Sequence, residues 1–178
     1  TELCRAAEQI HETSAVTTAA LGRLLTAAAL MGSMMKGKED SLTLRIDGKG
    51  PAGVLVAISD GAGHVRGYVE HPVVERPRGR AGKLDVGGAV GTDGYLAVVK
   101  DLGMKEPYTA HVPLTTGEIG DDIAAYYAAS EQIPTVCGLG VLVNPDLTVA
   151  HAGGFLIQLL PGAMDADIDR IEDNLKQL

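Results

Sequence analysis

The sequence predicts an α+β fold, with mixed or antiparallel sheets built largely from hairpins and packed with flanking helices. Three observations lead there. Apolar residues recur at helical spacing through residues 3–35 and again near the end of the chain. Between them, short runs alternate apolar and polar residues and are cut by Gly, Pro, Asn and Asp. These runs follow one another as neighbours rather than alternating with helices, so hairpins outnumber βαβ units.

The elements follow in order. Leu3, Ala6, Ala7 and Ile10 mark an amphipathic first helix. Ala20, Leu21, Leu24, Leu25, Ala28, Met31 and Met35 continue a second stripe, with Thr17 or Thr18 as its cap and Gly37 as its stop. Its Met-rich end reads as gap-filling in a core. Thr17 to Met35 approaches membrane length, but Arg23 lies inside it, at a cost of roughly 2.5–3.5 kcal/mol on insertion scales. A buried helix is expected.

Leu42, Leu44 and Ile46 alternate with Thr43 and Arg45, and Gly48-Lys49-Gly50-Pro51 turns the chain into a strand at Val54–Ile58. Asp60-Gly61-Ala62-Gly63 turns it again, into His64–Val69. Glu75 to Gly91 reads as a long loop, and Tyr95–Val99 with Tyr108–Val112 as a further pair. Ile119 to Ser130 reads as a helix whose Asp121 and Asp122 suit the positive end of its dipole. Strands follow at Val136–Val143, Thr148–Ala152 and Phe155–Leu160, the first two joined across Asn144-Pro145-Asp146. In the last, Gly153-Gly154 launches an apolar run that Pro161-Gly162 stops, the pattern of a strand buried on both faces. Asp165 caps a final helix through Ile168, Ile171 and Leu175.

The 178 residues fit a single domain, 1–178, able to bury a core without disulfides or metal. Hydrophobic residues make up 46% but aromatics only 3%, so Ala, Val, Leu, Ile and Met must build that core. A net charge of −8 and few rings argue against nucleic acid, which calls for basic clusters and stacking surfaces. Cys4 and Cys137 show no metal or disulfide spacing, which suits a reducing cytoplasm. No membrane segment and no secretory leader is read.

Motifs of catalysis are lacking. Gly48-Lys49-Gly50-Pro51-Ala52-Gly53 spells G-x-G-x-x-G, but a strand pattern follows where a dinucleotide site needs a helix, so it is a hairpin turn. Asp165-x-Asp167-x-Asp169 begins like a calcium loop, yet Arg170 and Lys176 stand where Gly and Glu belong. The five histidines, His11, His64, His71, His111 and His151, are scattered singly. A Cys–His pair would need Cys137 brought to His151 or His111. Arg76, Arg78, Arg80 and Lys83 form one basic cluster that could hold an anion. No catalytic, cofactor-binding or metal residue is assigned, and an enzyme is not expected. A small-molecule site on the Gly-rich turns and the Arg76–Lys83 loop is the alternative.

Several segments, in order, resemble one family. They are Ala20-Leu21-Gly22-Arg23, Gly91-Thr92-Asp93-Gly94, Val98-Val99-Lys100-Asp101-Leu102-Gly103, Gly117-Glu118-Ile119-Gly120-Asp121-Asp122, Ser130-Glu131-Gln132-Ile133-Pro134, Gly138-Leu139-Gly140-Val141-Leu142-Val143-Asn144-Pro145 and the run Ala152 to Gly162. No one of them is specific; the ordered set is. It is similar to the redox-regulated heat-shock protein family of thirty-three-kilodalton chaperonins. The resemblance implies an ATP-independent holdase that binds unfolding client proteins under oxidative and heat stress, works in the cytoplasm and forms a homodimer. It also implies a C-terminal switch domain in which four cysteines, as CxC and CxxC pairs, hold zinc when reduced. Neither pair occurs here. The zinc domain, expected beyond Leu178, and a first strand, expected before Thr1, fall outside this sequence, which corresponds to the N-terminal core. No client-binding residue is assigned.

Overall fold

The computed structural model describes residues 1–77 and 82–175. Helix α1 (Glu2–His11) leads into α2 (Ala15–Gly32), which is apolar on nearly every side and almost wholly buried. A helix with no polar face has to be enclosed by other elements, and two sheets enclose this one. β1 (Ser41–Asp47), β2 (Leu55–Asp60) and β3 (Val65–Val69) form an antiparallel meander. After the short helix α3 (Val86–Val90), β4 (Tyr95–Asp101) pairs with the other side of β1, and β5 (Tyr108–Pro113) adds to β4. The resulting order is β3-β2-β1-β4-β5. Helix α4 (Gly120–Tyr126) runs into a π-helical turn, Tyr127–Glu131, and leads to a two-stranded ribbon, β6 (Thr135–Val143) with β7 (Val149–Gln158). Helix α5 (Asp165–Leu175) follows.

The core lies between these layers. Leu42, Leu44, Ile46, Leu55, Ala57, Leu96 and Val98 turn one face of the large sheet toward Leu21, Leu24, Leu25 and Ala28 of α2. The ribbon supplies Cys137, Leu139, Val141 and Leu156 from the other side. The α+β architecture built from hairpins therefore stands, and the alternation Leu42-Leu44-Ile46 marks the buried face of β1.

Several local expectations are corrected. Ser14, not Thr17 or Thr18, caps α2; its hydroxyl donates to Val74 O at 2.8 Å and accepts from Val74 N at 3.1 Å. Thr17 and Thr18 are instead buried in the first turn, tied to Pro72 and Thr13. The helix stops at Gly32, and Gly37 belongs to a later turn closed by Asp40. Residues 75–91 are not all loop. Asp85 caps α3 by accepting from Gly88 N at 3.1 Å, and Val86, Ala89 and Val90 are buried. Five residues containing two glycines are too short and too weakly patterned for periodicity to register. The Ile119–Ser130 helix divides into α4 and the π turn.

The G-x-G-x-x-G segment is the β1–β2 turn, as expected. Gly50 N and Ala52 N donate to Val90 O and Ala89 O, both at 2.9 Å, and so satisfy the end of α3. A Cβ on Gly48 or Gly50 would collide with those backbone carbonyls. Glycine is needed there for close approach of two chain segments.

The largest correction concerns Phe155–Leu160. β7 is one strand from Val149 to Gln158, and Gly153 and Gly154 lie within it, laddered to Gly140 and Leu139. None of the residues 155–160 is buried, and Leu160 is exposed. The strand belongs to a two-stranded ribbon backed mainly by α2, with α4 against β6 and α1 against β7, and these elements do not enclose residues 155–160 fully. An apolar run such as this, interrupted only by Gln158, has the same sequence signature whether both faces are covered or one is left apolar and exposed.

Candidate functional site

Where α2 ends, the chain continues in turns, with Met34 N donating to Met31 O and Met35 N to Gly32 O. This leaves Met31 buried and lifts Met34 to 47% exposure. Across from it, the β4–β5 hairpin turns at Gly103, whose N–H is held by Asp101 at 3.1 Å. That turn presents Leu102 (44% exposed), Met104 (71%) and, at the start of β5, Tyr108 (43%).

These residues wall two adjoining grooves. One, of about 550 Å³, is lined by Lys100, Leu102, Met104, Glu106, Tyr108, Ser130 and Glu131. The other, of about 500 Å³, runs past Met31, Met34, Met35, Lys36, Leu42, Tyr127 and Gln158. Lys100, Leu102 and Glu131 belong to both, so the grooves are continuous.

The floor is a polar knot. Glu131, carried in by the π turn, pairs with Lys100 and accepts from the Tyr126 hydroxyl. The Lys100 ammonium lies 5.7 Å from the Tyr126 ring centre and 6.0 Å from that of Tyr127. Burial, reinforced by Glu131, pushes the Tyr126 phenol far above its ordinary range, so it stays a donor. π turns are rare and tend to mark functional positions. With the floor's charges satisfied internally, the walls offer apolar, deformable side chains to a visitor. Thioethers suit irregular partners because three rotatable bonds let them conform.

Among the described residues the sequence-derived candidates do not assemble into a reactive centre. Arg76 is engaged by Asp85 at 2.5 Å, and this hydrogen bond holds the Asp85 carboxyl below its usual range. Lys83 is exposed; Arg78 and Arg80 lie outside the described residues. Cys137 ladders to Leu156 and His151 to Leu142, five positions further along the ribbon, or roughly 17 Å. His111 stacks edge-on against Tyr95, His64 bonds Asp60 at 2.9 Å, and His11 bonds Gly67 O at 3.0 Å. Burial pushes the Cys4 thiol up and that of Cys137 to about 11, which leaves both protonated at neutral pH. Among the described residues no three His, Cys, Asp or Glu side chains converge. The residues present do not fit a four-cysteine zinc centre. The acidic start of α5 is a helix start, as its spacing suggested. The Gly-rich turn of the small-molecule alternative is filled by the backbone of α3.

Sequence reasoning missed the grooves because their walls come from α2, β4, β5 and the π turn. One signal was present: Met31, Met34 and Met35 at a helix end. Gap-filling describes Met31; Met34 faces solvent.

Relatives with this architecture are numerous. A 33 kDa chaperonin from Geobacillus kaustophilus is 53% identical over 178 residues, covering 100% of this chain and 60% of the relative. One from Alkaliphilus metalliredigens is 48% identical, covering 100% of the chain and 61% of the relative. The crystal structure of a 33 kDa chaperonin (heat shock protein 33 homologue) from Thermotoga maritima superposes with a TM-score of 0.94 at 43% identity, over 99% of this chain and 60% of that one. The chain thus spans about 60% of the length of these relatives. The Hsp33 protein family matches residues 1–178 throughout, and the chain belongs to that family.

Proposed function

We propose that this chain is the client-binding core of an ATP-independent holdase, which takes hold of unfolding proteins under oxidative and heat stress and prevents their aggregation. The observation that carries the reading is the pair of continuous grooves walled by exposed Met34, Leu102, Met104 and Tyr108. Apolar surface of this kind binds apolar surface without chemistry or fuel, at roughly 25 cal/mol per Å² removed from water. Family membership supports the same reading, since the relatives are named chaperonins. The proposal includes a homodimer acting in the cytoplasm. It places any zinc-held redox switch on cysteines other than Cys4 and Cys137.

The test is light scattering of a thermally unfolding client mixed with the purified chain, without nucleotide. Suppression of scattering is expected at near-stoichiometric ratios. Leu102→Glu with Met104→Glu puts two charges on the shared wall, where both side chains are already exposed. Loss of most suppression is expected, with circular dichroism and melting temperature unchanged. A folded double variant that suppresses as well as the parent would place the binding surface elsewhere.

A further inference from the structure

The five-stranded sheet ends on two unlike edges. In an antiparallel pair, residues alternate between bonding the neighbouring strand and turning N–H and C=O away from it. On β3 the outward residues are Val65, Gly67 and Val69, because Asp60 N donates to His64 O and Glu70 N to Val54 O. α1 packs against β3, and His11 donates to Gly67 O at 3.0 Å, so this edge is engaged at its centre. On β5 the outward residues are Thr109, His111 and Pro113, because Leu114 N donates to Gly94 O at 3.0 Å and the ladder alternates from there. Thr109 and His111 are exposed, and among the described residues no hydrogen bond engages their outward main-chain groups. Pro113 bounds this stretch at one end and Pro107 at the other, and neither has an N–H. Side chains alternate as well: Tyr108, Ala110 and Val112 share the inner face, and Tyr108 walls the first groove.

We propose that the β5 edge at Thr109 and His111 binds the backbone of an extended, apolar segment of an unfolding client, which adds to the sheet as a further strand. The proposal rests on the client-binding reading above and names the conformation that is captured. Thr109 and His111 each offer one N–H and one C=O, at a spacing that an extended chain matches. A helical segment bonds its own backbone and has nothing to give this edge. Client residues paired with Thr109 and His111 carry their side chains on the outer face of the sheet. The residues between them turn theirs inward, toward Tyr108 and the groove. Main-chain pairing accepts any sequence and the groove selects apolar side chains, so together they favour an unfolded chain over a folded one. A second copy of β5 fits less well. Laid antiparallel about Ala110, it would set Pro107 against Pro113 at both ends, where no N–H is available.

The experiment follows the fluorescence anisotropy of a labelled heptapeptide with apolar residues at alternate positions and Ser or Thr between them. A single backbone N-methyl group is placed at each position in turn. At the polar positions it is expected to weaken binding roughly tenfold, about the net value of one hydrogen bond, since those N–H groups face β5. At the apolar positions the change stays within about twofold, since those N–H groups face solvent. The opposite alternation, no alternation, or no binding at all overturns the proposal. On the protein, His111→Pro removes an outward N–H that β4 does not use, whereas His111→Ala removes only the side chain. The proline variant is expected to bind the parent peptide roughly tenfold more weakly than the alanine variant, with circular dichroism unchanged. Equal binding by the two folded variants overturns the proposal; if the proline variant does not fold, the peptide series decides. Sedimentation tests the other occupant: a dimer lost in His111→Pro with peptide affinity intact assigns the edge to a second copy, against the proposal. Client scattering separates the edge from the holdase reading. Suppression without alternation overturns the edge alone, and alternation without suppression overturns the holdase reading alone.

Discussion

Asp122 accepts four hydrogen bonds in a buried setting: Thr115 N at 2.7 Å, Thr115 Oγ1 at 2.9 Å, Thr116 N at 3.2 Å and Ile119 N at 3.0 Å. The last holds Ile119 at φ +72°, a conformation that a β-branched residue rarely adopts. Ile119 has no side-chain acceptor to return the bond, so Asp122 alone fixes the entry to α4. Asp122→Ala leaves three backbone donors without a partner and frees the strained residue. A loss of about 3 kcal/mol is expected, read as a drop of about 6–12 °C in thermal midpoint. A drop under a degree would mean that water replaces the carboxylate. The sequence showed Asp121 and Asp122 as acids in a first turn, which is right. It could not show that one of them is a buried hub, because its donors come from a loop folded back over it.

Glycine substitutions separate two kinds of element. At Gly48 the β1–β2 turn presses against the end of α3, and any Cβ meets carbonyl oxygens. Gly48→Ala is expected to cost at least about 2 kcal/mol, since backbone rather than a side chain must move. At Gly140 the ribbon is open, with nothing within 4 Å of a Cβ and only Gly153 opposite. Gly140→Thr is expected to gain about 0.5–1 kcal/mol through strand propensity and lower unfolded-state entropy. Urea midpoints of the two variants should move in opposite directions; a shift of the same sign would contradict this assignment. Hairpin elements such as Ser41–Asp47 were legible because alternation shows directly which face is buried. α3 was not, because a five-residue helix is formed by its caps and its neighbours rather than by its own pattern.

At the scale of the molecule, a central helix sits between a five-stranded sheet and a ribbon, and the grooves open where that helix runs out. Both grooves have their charged floor neutralised internally, so capture is expected to be governed by apolar area rather than by the net charge of −8. Affinity for a fluorescent apolar peptide should then stay within about twofold as salt rises from 0.1 to 1 M, a range over which the Debye length falls from about 10 to about 3 Å. A tenfold weakening would assign recognition to Lys36, Lys100 or the acidic rim.

By itself the sequence determined the hairpin-built α+β class, the family, the enclosed second helix and the lack of a catalytic motif. Each of these depends on local periodicity, composition or an ordered set of short segments. Only the tertiary structure decided that Phe155–Leu160 lies half-exposed on a ribbon, and that Met34 and Met104 share one surface instead of filling a core. Exposure depends on what stands opposite a side chain, and Met34, Leu102, Met104 and Glu131 become neighbours only once the helix, the hairpin and the π turn have packed.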